Sequence, residues 1–198
     1  MKSSTNYSNQ RVGIFVDVQN LYHSAKNLYH GRVNYAELIK YLVAGRQLIR
    51  SMAYVVKSEG LVPSRVEGIE PGRPDGVRRT SRDFESLSPE AAFFEALEKA
   101  GLELRVKDLQ VYAGGMKKAD WDVGMAIDAI RMASFLDVVI LVTGDGDFLP
   151  LVDYLKWGVG RLVEVAAFKR SASAKLQEAA DKFVNIEEIP KIILKARI

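Results

Sequence analysis

One buried-strand pattern with an acidic turn behind it constrains the fold of this chain more than any other feature. Val138 to Val142 is an unbroken apolar and mostly β-branched run, which is typical of a strand buried on both faces of a parallel sheet. Thr-Gly-Asp-Gly-Asp follows at 143–147, and its glycines permit a tight turn and close approach to a ligand. An amphipathic segment, Phe148 to Trp157, comes next, so Asp145 and Asp147 are predicted on a turn between strand and helix.

A second buried-strand pattern lies near the N-terminus and also ends in an acid. It spans residues 11–18, and Asp17 stands at its end with Asn20 just beyond. Further strand patterns lie at 47–56, 102–109, 161–167 and 183–186. Because helical patterns separate these strands, the sequence predicts an α/β fold with a mostly parallel central sheet of five or six strands flanked by helices.

The chain of 198 residues is long enough for one domain with a substantial core. We expect a disordered tail at 1–10, a domain at 11–187 with an insertion at 57–88 that is rich in proline, glycine and arginine, and a C-terminal tail at 188–198. The chain has no cysteine and no apolar run of the roughly 20 residues that span a bilayer. We therefore expect a cytoplasmic protein without a membrane partner, and the apolar C-terminal tail makes a homodimer possible.

The acids at the ends of the two buried strands meet if those strands are neighbours. In doubly wound sheets the first strand commonly lies beside a later one, where the winding direction reverses. Asp17, Asp145 and Asp147 would then converge, and Asp122, near the start of its helix, would face the same crevice. Clustered carboxylates repel one another, and oxygen ligands favour Mg²⁺ or Mn²⁺ as the cofactor. Such a cation activates water and polarises phosphoryl oxygens, which predicts hydrolysis of a phosphate ester.

Basic and aromatic residues on the same edge favour a polyanionic substrate over a small phosphate ester. The basic residues that follow strands are Lys57, Lys117, Lys118, Lys169 and Arg170. Candidate stacking surfaces for single-stranded bases are Tyr22, His23, Tyr29, His30 and Tyr112. The net charge of +3 permits a nucleic-acid partner without requiring one.

Structural explanations compete with the functional ones for several of these residues. Asp and Gly are ordinary turn residues, Asp17 can cap the helix that follows it, and Asp122 can favour a helix N-terminus through the helix dipole. Asp128 lies about 240° around the helix from Asp122, so we expect it to support the site rather than bind a metal. Trp121 and Trp157 are expected in the core.

Three motifs in this order resemble the NYN domain, in its LabA-like branch. They are Val-Gly-Ile-Phe-Val-Asp-Val-Gln-Asn at 12–20, Lys-Lys-Ala-Asp-Trp-Asp at 117–122, and Thr-Gly-Asp-Gly-Asp-Phe-Leu-Pro-Leu at 143–151. The resemblance covers roughly residues 11–186. It implies a PIN-like Rossmannoid fold and a metal-dependent ribonuclease activity, with Mg²⁺ or Mn²⁺ held by Asp17, Asp122, Asp145 and Asp147.

The predicted function is therefore a metal-dependent (endo)ribonuclease that hydrolyses phosphodiester bonds of single-stranded or structured RNA. Its catalytic residues would be Asp17, Asn20, Asp122, Asp145 and Asp147. Its RNA- or phosphate-binding residues would be Thr143, Lys117, Lys118, Lys169 and Arg170. The main alternative is a non-catalytic RNA-binding regulatory protein of the LabA-like type. A phosphomonoesterase is disfavoured, because aspartyl-phosphate enzymes use a second acid where this chain has Gln19.

Overall fold

The computed structural model describes residues 8–57, 88–108, 110–111, 117–118 and 120–195. Most of the predicted N-terminal tail and of the predicted insertion at 57–88 therefore lie outside the described residues, as does Tyr112.

A six-stranded parallel sheet forms the centre of the protein. Its strands in spatial order are β4 (Glu103–Asp108), β3 (Gln47–Lys57), β1 (Arg11–Asp17), β7 (Val138–Val142), β8 (Leu162–Ala167) and β9 (Lys182–Asn185). The chain winds outwards from β1 through β3 to β4, then returns to β7 beside β1 and winds the other way. The predicted α/β fold with a mostly parallel sheet is confirmed, and the first strand does lie beside the strand that precedes the acidic turn.

Helices cover both faces of the sheet. They are α1 (Val18–Tyr29), α2 (Tyr35–Val43), α3 (Pro89–Lys99), α4 (Asp122–Met132), α5 (Leu149–Asp153) and α6 (Ala174–Ala179). The helices α1 to α3 pack in one hydrophobic cluster and α4 to α6 in the other. None of the helices in the described ranges is long and apolar enough to cross a membrane.

The strand β7 explains why its sequence is apolar at every position. Val138, Ile140 and Val142 pack with α1 to α3, whereas Val139 and Leu141 pack with α4 to α6. All five side chains are buried, as expected of a central strand in a sheet with helices on both faces.

Residues 188–195, which the sequence analysis treats as part of a C-terminal tail, pack against the domain. Ile189 and Ile192 are buried, and the strand β10 (Ile193–Lys195) pairs antiparallel with the short strand β2 (Gly31–Val33). A second antiparallel pair joins β5 (Gln110–Val111) and β6 (Lys117–Lys118).

The segment after the acidic turn is not one regular helix. A 3₁₀ turn at Gly146–Phe148 precedes α5, and a π-helical turn follows at Tyr154–Gly158, in which the Val159 N–H donates to the Tyr154 carbonyl at 3.0 Å. Trp157 lies two residues after the buried Leu155, about 200° further around a helix, which places it on the opposite face. Trp157 is 82% exposed, so its predicted place in the core is wrong.

Candidate active site

The carboxyl ends of β1 and β7 are joined by a side-chain hydrogen bond. Val16 and Val142 are partners in the parallel register, so Asp17 and Thr143 leave the sheet at the same edge. The Thr143 hydroxyl, which is fully buried, donates to Asp17 Oδ2 at 3.1 Å. The two acid-bearing turns of the sequence are therefore held side by side.

Asp17 also caps the helix that follows it, so the structural and functional explanations of this residue are compatible. The Asn20 N–H donates to Asp17 Oδ1 at 3.0 Å, as in a helix N-cap. Asn20 then reaches across to the other turn, where its Oδ1 accepts from the Gly144 N–H at 3.0 Å. The amide NH₂ group of Asn20 keeps its capacity to donate to a ligand.

The acidic turn is ordered by its own side chains. The Asp145 N–H donates to the Thr143 hydroxyl at 3.2 Å, and the Asp147 N–H donates to Asp145 Oδ1 at 3.0 Å. A Cβ on Gly144 would lie 3.0 Å from Ala172 Cα. The close approach of this neighbouring segment accounts for a glycine at this position.

Asp122 is brought to the same crevice by the anchoring of α4. Trp121, directly before the helix, donates its indole N–H to the Val55 carbonyl at 2.8 Å, and its ring meets that of Tyr54 edge-on at 5.6 Å between centroids. The first turn of α4 is thereby fixed to β3, next to β1.

These carboxylates are close enough for their charges to affect one another's pKa. Burial raises the pKa of Asp122 to about 6, and the negative charges that raise it further are those of Asp17, Asp145, Asp120 and Asp147. Burial is also the largest cause that raises the pKa of Asp17. The hydrogen bonds from Asn20 and Thr143 oppose this shift, and the charge of Asp145 adds to it.

These acids fit a divalent cation by their chemistry without forming a closed cage. Their donors are all oxygens, the set that Mg²⁺ and Mn²⁺ prefer. Within the described part of the chain, no three acidic or histidine side chains are grouped tightly enough to hold one ion together. Mg²⁺ usually keeps several waters and takes one or two carboxylates, so a closed cage is not required.

Asp128 contacts residues of β3 and β4. Its Oδ2 accepts a hydrogen bond from the Tyr54 hydroxyl at 3.1 Å and lies 3.4 Å from Arg105 Nε. Asp128 therefore ties α4 to β3 and β4, and its support of the site stays a prediction.

The predicted basic residues are only partly described. Lys169 and Arg170 are exposed directly after β8, and the Lys169 N–H donates to Asn185 Oδ1 at 3.3 Å. Lys117 and Lys118 form β6, but their side chains lie outside the described part of the structure. A shared position of all four beside the acids therefore stays a prediction.

Two cavities flank the acids. We call the first the α4–α5 groove; its volume is about 550 Å³, and it is lined by Asp122, Asp147, Val123, Ile130 and Tyr154, among others. We call the second the aromatic pocket; its volume is about 460 Å³, and it is lined by Gln19, Tyr22, His23, Tyr35, Phe93 and Phe94, among others. Tyr22 and His23, which the sequence offered as stacking surfaces, line the second cavity, whereas Phe93 and Phe94 on α3 were not predicted beside them.

The acids lie at the point where the winding of this open parallel sheet reverses, which is where such sheets bind ligands. Residues 11–187 match the NYN domain family, and the chain belongs to that family. NYN domains form part of the PIN-like nuclease superfamily, which indicates a nuclease-like function related to RNA.

A solved structure gives the same fold. The crystal structure of a protein of unknown function from Vibrio parahaemolyticus is similar to this chain at 27% identity with a TM-score of 0.74, and the match covers 96% of this chain and 100% of that one. Comparison with curated proteins gives no significant match.

Proposed function

We propose that this protein is a metal-dependent ribonuclease that hydrolyses phosphodiester bonds of single-stranded or structured RNA. The observation that supports this most is the mutual repulsion of acids from three separate parts of the chain, Asp17, Asp122 and Asp145, at one edge of the sheet. A fold gains nothing from such repulsion unless a positive ligand relieves it. The nuclease-like character of the family agrees with this explanation.

Mg²⁺ or Mn²⁺ is the proposed cofactor, and the residues that would hold it are Asp17, Asp122, Asp145 and Asp147. When bound, such a cation supplies an activated water and neutralises charge on the phosphoryl oxygens. Since Asp17 accepts one hydrogen bond on each oxygen, its carboxylate is fixed in orientation and still has lone pairs to offer.

The remaining residues would bind and orient the substrate. The NH₂ group of Asn20 can donate to a phosphate oxygen or to water, because its carbonyl oxygen is engaged by Gly144. Thr143 fixes Asp17, and its hydroxyl is fully buried, so we propose a positioning role for it rather than direct phosphate contact. Lys169 and Arg170, with Lys117 and Lys118, would neutralise flanking phosphates.

A second candidate function is a non-catalytic RNA-binding regulator of the LabA-like type. The exposed Lys169 and Arg170 after β8 favour it, because basic side chains bind RNA phosphates whether or not the acids hold a cation. The three motifs at 12–20, 117–122 and 143–151 support placement in the LabA-like branch. This candidate predicts RNA binding that persists in EDTA, weakens with salt, and gives no product.

The test is RNA cleavage by matched variants. Labelled linear and circular single-stranded RNAs of one sequence are incubated with Mn²⁺ and the wild type, Asp145→Asn or Asp153→Asn. Asp153 is an exposed acid on α5, so it controls for the loss of one charge. We expect cleavage by the wild type and Asp153→Asn, and a loss on the order of a hundredfold or more in Asp145→Asn, the scale of lost electrostatic stabilisation in an active site.

The substrates and the control separate the candidate functions. Cleavage of the circular RNA identifies an endonuclease. Equal cleavage by the wild type and Asp145→Asn would remove these acids from the mechanism. Binding without cleavage by any of the three proteins would favour the regulator.

A further inference from the structure

We propose that the aromatic pocket binds an unpaired nucleobase of the RNA, next to the phosphodiester that the acids engage. This proposal rests on the proposed function, because it takes the substrate to be RNA. It adds a site for the base itself, and with it a preference for single-stranded over duplex RNA.

The pocket begins where the acid cluster ends. Val18 and Gln19, directly after Asp17, line its edge. On its wall, burial raises the pKa of the Tyr35 phenol, and the negative charge of Asp17 raises it further. A nucleotide that places its phosphate at Asp17 therefore has its base within reach of this cavity. The volume of about 460 Å³ lies within the roughly 300–1,000 Å³ that small-ligand sites occupy.

The walls of the pocket are aromatic rings at several angles. Tyr22 and His23 meet edge-on with centroids 5.5 Å apart, and Phe93 lies 6.1 Å from Tyr35 and 6.3 Å from Phe94. Tyr22 is 41% exposed at the opening, so its ring is accessible to a ligand. Bases stack on such rings regardless of sequence, since every base has a π-face.

The charge of the pocket suits a base rather than a phosphate. Among the described residues, its lining includes one arginine, Arg32, and one acid, Glu90, whose formal charges offset each other. At the rim, Lys26 Nζ lies 5.8 Å from the centre of the Tyr22 ring and supplies a positive charge for a backbone phosphate. The α4–α5 groove on the other side of the acids includes Asp122 and Asp147, which repel phosphates.

The test measures binding without cleavage, in EDTA, by fluorescence anisotropy. The ligands are a labelled single-stranded RNA ten-mer and an abasic ten-mer of equal length and charge. We expect the wild type to bind the base-bearing strand about tenfold more tightly or better, the scale of one or two stacking contacts. Tyr22→Ala should lose most of this preference, and Tyr22→Trp should keep it. Affinity for the abasic strand should not change.

Tyr154 provides the matched control. It is 50% exposed and lines the α4–α5 groove, so Tyr154→Ala removes a similar ring on the other side of the acids and should keep the full preference. His23→Ala, also at an exposed position of the pocket, should reduce the preference as Tyr22→Ala does.

The proposal would be overturned by a wild type that binds both strands equally, by Tyr22→Ala with an unchanged preference, or by Tyr154→Ala with the same loss. These outcomes are independent of catalysis. A base preference that depends on Tyr22 in a protein without nuclease activity would contradict the proposed enzyme and leave the pocket assignment intact. RNA cleavage by a protein whose base preference does not depend on Tyr22 would contradict the pocket assignment and leave the proposed enzyme intact.

Discussion

The two ends of the β1–β7 pair carry the same residue type in opposite electrostatic settings. At the amino end, Asp137 accepts hydrogen bonds from the Arg11 backbone N–H at 2.8 Å and from its guanidinium at 2.9 and 3.1 Å. These contacts lower the pKa of Asp137 to about 2. At the carboxyl end, burial raises the pKa of Asp17, and the negative charge of Asp145 adds to this shift.

This difference shows which charges the fold uses for itself. At the amino end of the pair of strands, the acid is paired with a cation. Elsewhere in the protein, Arg46 and Glu164 form a buried ion pair with N–O distances of 2.8 and 3.1 Å. The carboxyl end gathers acids that repel one another, which costs stability and makes sense if a cation or a substrate completes the site. Substitutions at the two kinds of site should therefore change different properties of the protein.

The largest effect on stability is expected from Glu164→Gln. Arg46 would be left buried without its charge partner, and breaking a buried pair in this way costs roughly 3–5 kcal/mol. Urea unfolding should show the loss. A change in the free energy of unfolding below about 1 kcal/mol, the range of exposed pairs, would show that the charge of Arg46 does not depend on Glu164 for its compensation.

Asp122→Asn should instead stabilise the protein, in a pH-dependent way. The pKa of Asp122 is about 6 in the folded state, above its ordinary value, so ionised Asp122 disfavours folding and the wild type loses stability as the pH rises from about 4 to 7. In EDTA at pH 7.5 we expect Asp122→Asn to melt about 2–4 °C higher, allowing for solvent screening of a partly exposed group.

The melting temperatures of the wild type and Asp122→Asn should converge below about pH 4, where the carboxyl is protonated in both folded and unfolded chains. A difference in melting temperature that is independent of pH would show that the pKa of Asp122 is not raised in the folded protein.

The smallest effect is expected from Asp137→Asn, and its sign is the opposite. Because the pKa of Asp137 is lowered to about 2, its contribution to stability is present above about pH 4 and is lost as the pH falls towards 2. Its ion pair with Arg11 is exposed, so the melting temperature should fall by less than about 2 °C at neutral pH. RNA cleavage should not change, and a large loss of activity would break the contrast between the two ends.

The sequence predicts the strands that carry the acids better than it predicts the contacts and cavities around them. The apolar run at Val138–Val142 and the rule that winding reverses beside the first strand were enough to bring Asp17 and Asp145 to one edge. No local pattern indicated that β10 pairs with β2, because each strand has three residues and they lie far apart in the chain. The buried Arg46–Glu164 pair was missed for the same reason, since 118 positions separate its members.

The surroundings of the acids depend on tertiary contacts in the same way. The aromatic pocket combines α1, β2, α2, β3 and α3, and only the fold brings Phe93 to the side of Tyr35. Trp157 was misplaced because it lies on the face of its helical segment opposite to the buried Leu155. The metal-binding and RNA-binding roles of the individual site residues stay predictions.

Mn²⁺ binding tests the central claim most directly, because Asp137 and Asp145 stand before and after the same strand. Free Mn²⁺ is followed by electron paramagnetic resonance in titrations of the wild type, Asp145→Asn and Asp137→Asn. The account predicts that the wild type and Asp137→Asn bind Mn²⁺ alike, and that Asp145→Asn binds at least about tenfold more weakly, as perturbed metal sites do. Equal binding by Asp145→Asn and the wild type would contradict it.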